Sequence, residues 1–481
     1  MRALLAVLFT TMMSFAGTAG AQPAELAQQI DQALSTLQPA TQVSGRSYPA
    51  QSLAELLRLR NIPGASIAVF RDGRIIYARG FGVAEAGGSR AVDTETLFQA
   101  ASISKPLTAT AALALVEQGR IDLDGPVNER LTSWRIPDSA AAEGVPVTLR
   151  QLLTHTAGLT VHGFPGYAPG APLPAVAQVL DGAPPANTPA VRVDQRPGSA
   201  WRYSGGGFTV SQLLLSDVTG EPFADLMRRL VLAPAGMAHS TYAQPPPVEL
   251  RETAAWGYRG TGEPVEGGYH VYPEQAAAGL WTTPSDLARW ALALSADFTR
   301  GDGKLLDHDT AIAMLTPGLG GFGLGVGVGG SGDLLTLSHG GANEGYRAVL
   351  RAFPRKGDGI AIMTNSDNGD ALMRPVMIAV GRALGWPGSE PQVIVPVAVP
   401  AQQLADAVGR YATFGVSVDV QLNGDVLRAT ATGRPPGDLI PQGDDRYLAE
   451  DGTPIRFVRD PATNGITGLA AAGVTLQRSD P

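Results

Sequence analysis

The sequence contains no cysteine among its 481 residues. Disulfides, thiolate metal sites and a cysteine nucleophile are therefore excluded. Lysine is also scarce, because 36 residues are Lys or Arg but only Lys105, Lys304 and Lys356 are lysine. No run of basic residues is longer than two, and the formal net charge is −8. The chain thus lacks the basic surface that a nucleic-acid partner would require.

Long apolar runs are missing beyond the N-terminus. Residues 1–21 combine a basic start, a short apolar stretch and small residues ending at Ala21, which is the order of features in a signal peptide. We therefore expect cleavage near Ala21 and export to the periplasm or the medium. No later segment approaches the roughly 18 apolar residues of a membrane span. The six histidines have no metal-ligand spacing, so neither a metal nor another cofactor is expected.

A proline-rich stretch near residue 390 divides the chain into two predicted domains. Residues 22–390 begin with a strand pair around Asp72-Gly73, continue through helices such as 210–218, and end with further strands and a closing helix. This order predicts a mixed α/β (α+β) domain, with an antiparallel sheet flanked by helices and a helical subdomain. Residues 391–481 read as a linker followed by alternating strands, which predicts a small all-β domain.

The clearest chemical signal is the spacing of Ser102 and Lys105 at the start of a predicted helix, which places both on one face. Leu and Ala residues follow, and burial among them would lower the pKa of the ammonium and make Lys105 available as a base. Pro106 fits the first helical turn, where amides have no intrahelical acceptor. A capping serine followed by a solvated lysine is the structural alternative, and the scarcity of other lysines counts against it.

Two further segments raise the odds of a catalytic site. Tyr203 precedes a Gly-rich turn, and a nearby cation could lower its pKa so that it carries a proton. His339 lies on a predicted strand, where Gly340 and Gly341 permit close backbone approach and the Ala342 amide could donate to an oxyanion. Each also has a structural interpretation, as a packed aromatic and as a sheet histidine.

One other histidine, His155, lies in the segment Leu-Thr-His-Thr-Ala-Gly-Leu. It is more typical of a structural turn residue than of an acid–base residue, and the second interpretation stays open.

Taken together, these segments resemble the motifs of the serine β-lactamase and penicillin-binding-protein superfamily. The resemblance is closer to the branch of class C β-lactamases, D-aminopeptidases, D-Ala-D-Ala carboxypeptidases and family VIII esterases. Ser102-Ile103-Ser104-Lys105 matches S-x-x-K, Tyr203-Ser204-Gly205 takes the place of Y-x-N, and His339-Gly340-Gly341 matches an H-x-G variant of K-T-G. The match runs over roughly residues 50–385, and the β tail is similar to the lipocalin-like modules of some members.

The resemblance implies a β-lactamase/transpeptidase-like fold and catalysis through an acyl-enzyme on the serine. The implied catalytic side chains are Ser102, Lys105, Tyr203 and His339. The implied oxyanion donors are the backbone amides of Ser102 and Ala342, and the implied substrate contacts are at Gly205, Gly340 and Gly341. Tyr203 would protonate the leaving group and activate the deacylating water.

Two departures from the family pattern bear on the substrate. Gly205 stands where many members have an Asn that contacts the amide side chain of the substrate, which favours esters over lactams or peptides. His339 replaces a lysine and is near neutral at pH 7, so it should attract a substrate carboxylate less.

We therefore expect an exported serine hydrolase that acts on a β-lactam, a D-amino-acid amide or cell-wall peptide, or a small ester. One alternative is a carboxylesterase without useful β-lactamase activity. An alternative of another class is a non-catalytic protein that binds penicillin or cell-wall fragments. The sequence does not indicate an oligomeric state.

Overall fold

The computed structural model describes residues 23–413, 416–432, 436–450, 452–471 and 474–479. The predicted signal peptide of residues 1–21 lies outside the described residues.

The helices are Pro23–Leu34 (α1), Leu53–Leu59 (α2), Ser104–Glu117 (α3), Leu149–Leu153 (α4), Val176–Asp181 (α5), Gly205–Thr219 (α6), Phe223–Met227 (α7), Ala233–Ala235 (α8), Val248–Arg251 (α9), Gln275–Ala278 (α10), Pro284–Arg300 (α11), His308–Met314 (α12), Asp370–Ala383 (α13) and Ala401–Ala407 (α14).

The strands of the first domain are Thr41–Val43 (β1), Gly64–Arg71 (β2), Arg74–Gly82 (β3), Phe98–Gln99 (β4), Trp281–Thr282 (β5), Gly327–Gly329 (β6), Thr336–Asn343 (β7), Tyr346–Phe353 (β8), Asp358–Thr364 (β9) and Gln392–Ile394 (β10). Those that follow are Gly409–Thr413 (β11), Val416–Asn423 (β12), Val426–Ala431 (β13), Gly437–Gly443 (β14), Arg446–Ala449 (β15), Pro454–Arg459 (β16), Ile466–Ala471 (β17) and Val474–Arg478 (β18).

The main sheet has six antiparallel strands in the order β3-β2-β9-β8-β7-β6. Side chains alternate between its faces, so Ile67 and Val69 of β2 join one apolar cluster while Ala68 and Phe70 join another. The first cluster includes residues of α1, α2 and α13, and the second includes residues of α3, α6 and α11. The predicted antiparallel sheet flanked by helices is confirmed.

Helix α3 lies in the middle of the helical part and packs against α6 and α10. Every residue from Ser104 to Leu115 is buried. A helix without a polar face has to be enclosed on all sides, and this enclosure carries Lys105 into the interior of the protein.

The C-terminal strands β11 to β18 form a closed antiparallel barrel, in which β18 pairs back with β11. Closure leaves no unpaired sheet edge. Tyr411, Tyr447 and Phe457 fill the interior with edge-to-face and tilted ring contacts. The predicted all-β module is therefore confirmed as an eight-stranded barrel.

The barrel contacts the first domain through the segment that the sequence presents as a linker. Strand β10 of this segment pairs in parallel with β1 near the start of the chain. Val43, Ile394 and Ile440 form a small apolar cluster across the junction. An ion pair of 3.2 Å between Arg46 and Asp438 lies beside it, although a half-exposed pair contributes little to stability.

Candidate active site

Ser102 lies in a short 3₁₀ turn, Ala101–Ile103, between β4 and α3. Ala101 has φ = 50°, a left-handed conformation that is uncommon for a residue with a Cβ. The turn is fixed on its far side, because Ser104 Oγ donates to Ala101 O at 2.6 Å and accepts from Leu280 N–H at 3.0 Å. Strained backbone that its surroundings hold in place is typical of functional sites.

Lys105 points from the first turn of α3 towards the serine. Its Nζ donates to Ser102 Oγ at 2.9 Å and to Ala277 O of α10 at 2.8 Å. The side chain is 2 % exposed, and burial lowers the pKa of the ammonium to about 7. The predicted burial and the lowered pKa are both found, so this lysine can lose a proton near neutral pH.

The Tyr203 ring lies over this pair, with its centroid 4.9 Å from Lys105 Nζ. Burial raises the pKa of Tyr203, and a hydrogen bond with Ser102 lowers it by less. The expectation that a nearby cation would lower this pKa is therefore wrong, because the loss of water around the phenol outweighs other effects. The phenol stays protonated at neutral pH, so it has a proton to donate.

His155 lies behind the tyrosine, with the two ring centroids 4.2 Å apart. Its Nδ1 accepts a hydrogen bond from Ser204 N–H at 3.1 Å, and its own carbonyl accepts from Arg202 N–H at 2.8 Å. Burial and the nearby Lys105 charge hold the pKa of His155 well below its usual range. Within the described ranges the ring has this one hydrogen bond at Nδ1, and its buried Nε2 has no partner. A neutral, buried ring packed against Tyr203 fits the structural interpretation of this residue.

His339 lies on β7, 6.2 Å from Tyr203 between ring centroids. Its Nδ1 is 2.6 Å from Gly340 O, so Nδ1 carries the proton and Nε2 is an acceptor. Burial lowers the pKa of His339 to about 3, and the Lys105 charge adds to this effect. The ring is therefore a neutral hydrogen-bond acceptor, with no charge to offer a carboxylate.

The edge of β7 approaches the serine turn closely at Gly341. A Cβ on this residue would come within 2.1 Å of Ala100 O, so no larger residue fits. Strand β6 pairs only with residues 336–338, and β7 beyond them has no second strand partner among the described residues. Gly340 and Ala342 are exposed along this edge. The Ser102 and Ala342 amides thus lie within two residues of the contact.

Gly205 is the first residue of α6 and is buried. A Cβ at this position would lie 2.9 Å from both His162 O and the Phe164 ring. The predicted Gly-rich turn before the helix is therefore wrong: the glycines form the first helical turn, because the segment 160–164 packs directly against them. An Asn side chain at position 205 would require this segment to move.

Several residues of the site belong to no sequence motif, so the sequence did not predict them. Trp201 and Phe322 form an apolar wall, in which Trp201 is 39 % exposed. The Phe322 centroid is 5.9 Å from that of Trp201 and 6.1 Å from that of His339. Their positions depend on long-range packing between loops more than 100 residues apart in the chain, which no local pattern reveals.

A second missed feature is Glu274, directly before α10. It is fully buried, and neither carboxylate oxygen has a hydrogen-bond partner within the described part of the chain. Burial raises its pKa to about 7.

Across the described ranges, no cluster of three or more His, Asp or Glu residues is arranged to hold a metal ion. None of the helices in those ranges combines the length and the apolar character that crossing a bilayer requires.

A serine hydrogen-bonded to a buried lysine at the start of a helix, in a domain built on an antiparallel sheet flanked by helices, is the arrangement of the β-lactamase class of serine hydrolases. The family model described as Beta-lactamase matches residues 50–381, so the chain belongs to the β-lactamase family.

One curated relative is Esterase EstB from Burkholderia gladioli, which is 32 % identical over 221 residues. The alignment covers 41 % of this chain and 55 % of EstB, so the chain spans about half the length of that relative.

Two solved structures show the fold. A structure of SurE with D-Leu has a TM-score of 0.56 and 22 % identity, and covers 95 % of this chain and 99 % of its own. A class C β-lactamase has a TM-score of 0.58 and 21 % identity, and covers 76 % of this chain and 98 % of its own.

Proposed function

We propose that this protein is a serine hydrolase that works through an acyl-enzyme on Ser102. The observation that carries the proposal is the 2.9 Å hydrogen bond between Lys105 Nζ and Ser102 Oγ, with a lysine pKa of about 7. Neutral Lys105 takes the serine proton as Oγ attacks the carbonyl carbon. The negative charge that develops on the carbonyl oxygen is stabilised by the Ser102 and Ala342 amides.

Tyr203 then acts on the leaving group. Because its phenol is protonated at neutral pH, it donates a proton to the departing oxygen or nitrogen as the carbonyl–heteroatom bond breaks. Water attacks the acyl-enzyme in the second half of the cycle, releases the acid and returns the proton to the Ser102–Lys105–Tyr203 set. The proton count therefore closes over one turnover.

Within this class, the site favours neutral carboxylic esters over substrates with a carboxylate beside the scissile bond. His339 is uncharged and its Nε2 is buried, so it offers no positive charge to bind a carboxylate. The apolar wall of Trp201 and Phe322 offers contact to an uncharged group. The esterase name of EstB supports the same choice.

The test uses a fluorescent penicillin and p-nitrophenyl butyrate with three proteins: wild type, Ser102→Ala and Ser35→Ala. Ser35 is an exposed serine at the end of α1 and serves as the matched control. We expect wild type and the control to hydrolyse the ester and Ser102→Ala to be inactive. Equal activity of wild type and Ser102→Ala would contradict the acyl-enzyme.

The penicillin separates the substrate classes. Weak or no labelling alongside ester turnover is expected for an esterase. Stable labelling of Ser102 without ester turnover would identify a penicillin-binding protein, and rapid loss of label with opening of the lactam would identify a β-lactamase.

We also propose that residues 1–21 direct export, that 22–390 form the catalytic domain, and that 391–481 comprise a linker and an accessory domain. N-terminal sequencing of the protein recovered outside the cytoplasm of a producing cell should begin at Gln22. Recovery of a chain that starts at Met1 in that fraction would contradict cleavage at this site.

A further inference from the structure

The segment Thr160–Phe164 lies against the start of α6, beside the proposed catalytic tyrosine. Three hydrogen bonds hold its backbone there: Gly205 N–H to His162 O at 3.0 Å, Gly206 N–H to Val161 O at 3.0 Å, and Ser204 Oγ to Thr160 O at 2.8 Å. Three consecutive residues of the segment are thus fixed to three consecutive residues of the tyrosine motif.

Val161 adopts φ = 65° within this segment. Positive φ is a genuine outlier for a β-branched residue. The hydrogen bonds of the segment hold Val161 in this conformation. The conformation in turn sets the direction in which the chain continues to the next residue.

That next residue is His162, whose side chain is exposed. Its ring centroid lies 4.9 Å from that of Tyr203. Partial burial lowers the pKa of His162, and the nearby Lys105 charge adds to this effect. The imidazole has no hydrogen-bond partner anywhere in the described ranges. A neutral imidazole without an internal hydrogen-bond partner in those ranges therefore lies beside Tyr203, on the side where Gly205 has no side chain.

We propose that His162 determines specificity by donating a hydrogen bond to an acceptor oxygen in the acyl part of the substrate. The substrate class that this contact selects is the ester of an acylamino acid, in which an amide carbonyl lies a few atoms from the scissile carbonyl. The Phe164 ring, which packs against Gly205, contacts the apolar part of the same acyl group. This inference rests on the proposed hydrolase activity.

The test compares two esters with one leaving group and nearly equal acyl length, p-nitrophenyl N-acetylglycinate and p-nitrophenyl pentanoate. Rates are corrected for the uncatalysed hydrolysis of each ester. The proteins are wild type, His162→Ala, His162→Phe and His162→Gln, with His239→Ala as the control for loss of a histidine outside the site. The measured quantity is the ratio of kcat/KM for the two esters.

We expect His162→Ala to lower the ratio by about 3- to 12-fold, which is the effect of losing one neutral hydrogen bond. His162→Phe should lower it equally, because the ring contact with Tyr203 remains but the N–H is gone. His162→Gln restores a donor and should recover most of the ratio, and His239→Ala should leave it unchanged.

Two results would overturn the inference: an unchanged ratio in His162→Ala, or a wild-type ratio in His162→Phe. An equal loss on both esters is a case of the first result and would show a structural role only. Failure of the proposed function is distinguishable, since wild type would then hydrolyse neither ester or Ser102→Ala would retain full activity.

Discussion

At the scale of single residues, the choice of lysine at position 105 has a physical reason. Arginine cannot lose its proton near neutral pH, and this chain uses arginine for nearly every other positive charge. Burial brings the pKa of Lys105 to about 7, which is where a general base works best. Sequence spacing predicted that the Ser102 and Lys105 side chains lie together, because both residues belong to one local turn.

The first prediction concerns the pH dependence of ester hydrolysis. The active form has neutral Lys105, so kcat/KM should rise with pH through about 7 and then level off. In Lys105→Arg the side chain stays charged at all accessible pH values, so kcat/KM should fall by about 10²- to 10⁴-fold. Lys356→Arg, at an exposed turn, is the control and should keep the wild-type profile. A wild-type rate profile that is flat between about pH 5 and about pH 9 would argue against Lys105 as the base.

The second prediction concerns stability and Glu274. Its folded pKa is raised from 4.5 to about 7 by burial, so the folded state prefers the protonated acid. The associated stability is fully present below pH 4.5 and is lost as pH rises through about 7. The Gln side chain of Glu274→Gln is neutral at every pH. Above pH 7 the free energy of unfolding of this variant should therefore exceed that of the wild type by on the order of 3 kcal/mol.

Urea unfolding at several pH values measures this difference. Near pH 4.5, where wild-type Glu274 is protonated in the folded state, the two proteins should have similar free energies of unfolding. The exposed Glu249→Gln in α9 is the control and should show no such pH-dependent gain. A constant difference across the window would mean that Glu274 finds a partner when charged.

At the scale of elements, the contact between the segment 160–164 and α6 shows where sequence patterns fail. Three consecutive glycines, Gly205 to Gly207, predict a turn, because glycine disfavours a helix interior by about 1 kcal/mol. The structure has them in the first turn of α6, and at Gly205 and Gly206 neighbouring backbone comes too close for a Cβ. Propensity is local, whereas this contact joins residues about 45 positions apart in the chain.

The third prediction compares two adjacent glycines of α6. A Cβ on Gly206 would lie 2.8 Å from Thr160 O and from Val191 Cγ2, whereas one on Gly207 would have no neighbour nearer than 3.7 Å. Gly206→Ala should therefore lower the free energy of unfolding by about 1–3 kcal/mol through overpacking. Gly207→Ala should be neutral or raise it by up to about 1 kcal/mol, since Ala favours helix. Thermal unfolding distinguishes them, and equal Tm values would contradict the packing explanation.

The Gly-rich segment near residue 325 illustrates a related failure. Alternating glycine and apolar residues predict a strand over 321–330, but only Gly327–Gly329 forms one. By contrast, the strand pair around Asp72-Gly73 is found as β2 and β3, because its turn residues and its alternation agree. Predictions hold where local signals agree with each other, and fail where a distant segment decides.

At the scale of the whole molecule, every proposed site residue lies between positions 102 and 342, and the barrel contributes none of them. The alternating pattern of the last segments predicted the all-β character of this part of the chain, which the closed barrel confirms. It could not predict how the barrel contacts the first domain, because the contact involves Val43, which is some 350 residues from Ile394 in the chain.

The fourth prediction follows from this separation. Removing residues 395–481 keeps β10 and its pairing with β1, and a domain with its own core can fold alone. Hydrolysis of p-nitrophenyl butyrate should stay within about threefold of the full chain, since the site keeps all its proposed residues. Activity is compared after circular dichroism has shown that the shortened chain is folded. A folded but inactive chain would show that the barrel takes part in catalysis.

The parallel pairing of β1 with β10 has a further consequence for how such a chain can be rearranged. It places β1, which follows α1 near the beginning of the first domain, beside β10, which follows the end of that domain, so a bridge from β10 to the start of α1 could join the two ends after the barrel is removed. New ends could then be opened at an exposed loop, and the order of segments would change while their contacts did not. The same adjacency means that a module can be gained or lost at this point by a single fusion, without rerouting the chain that carries the catalytic serine.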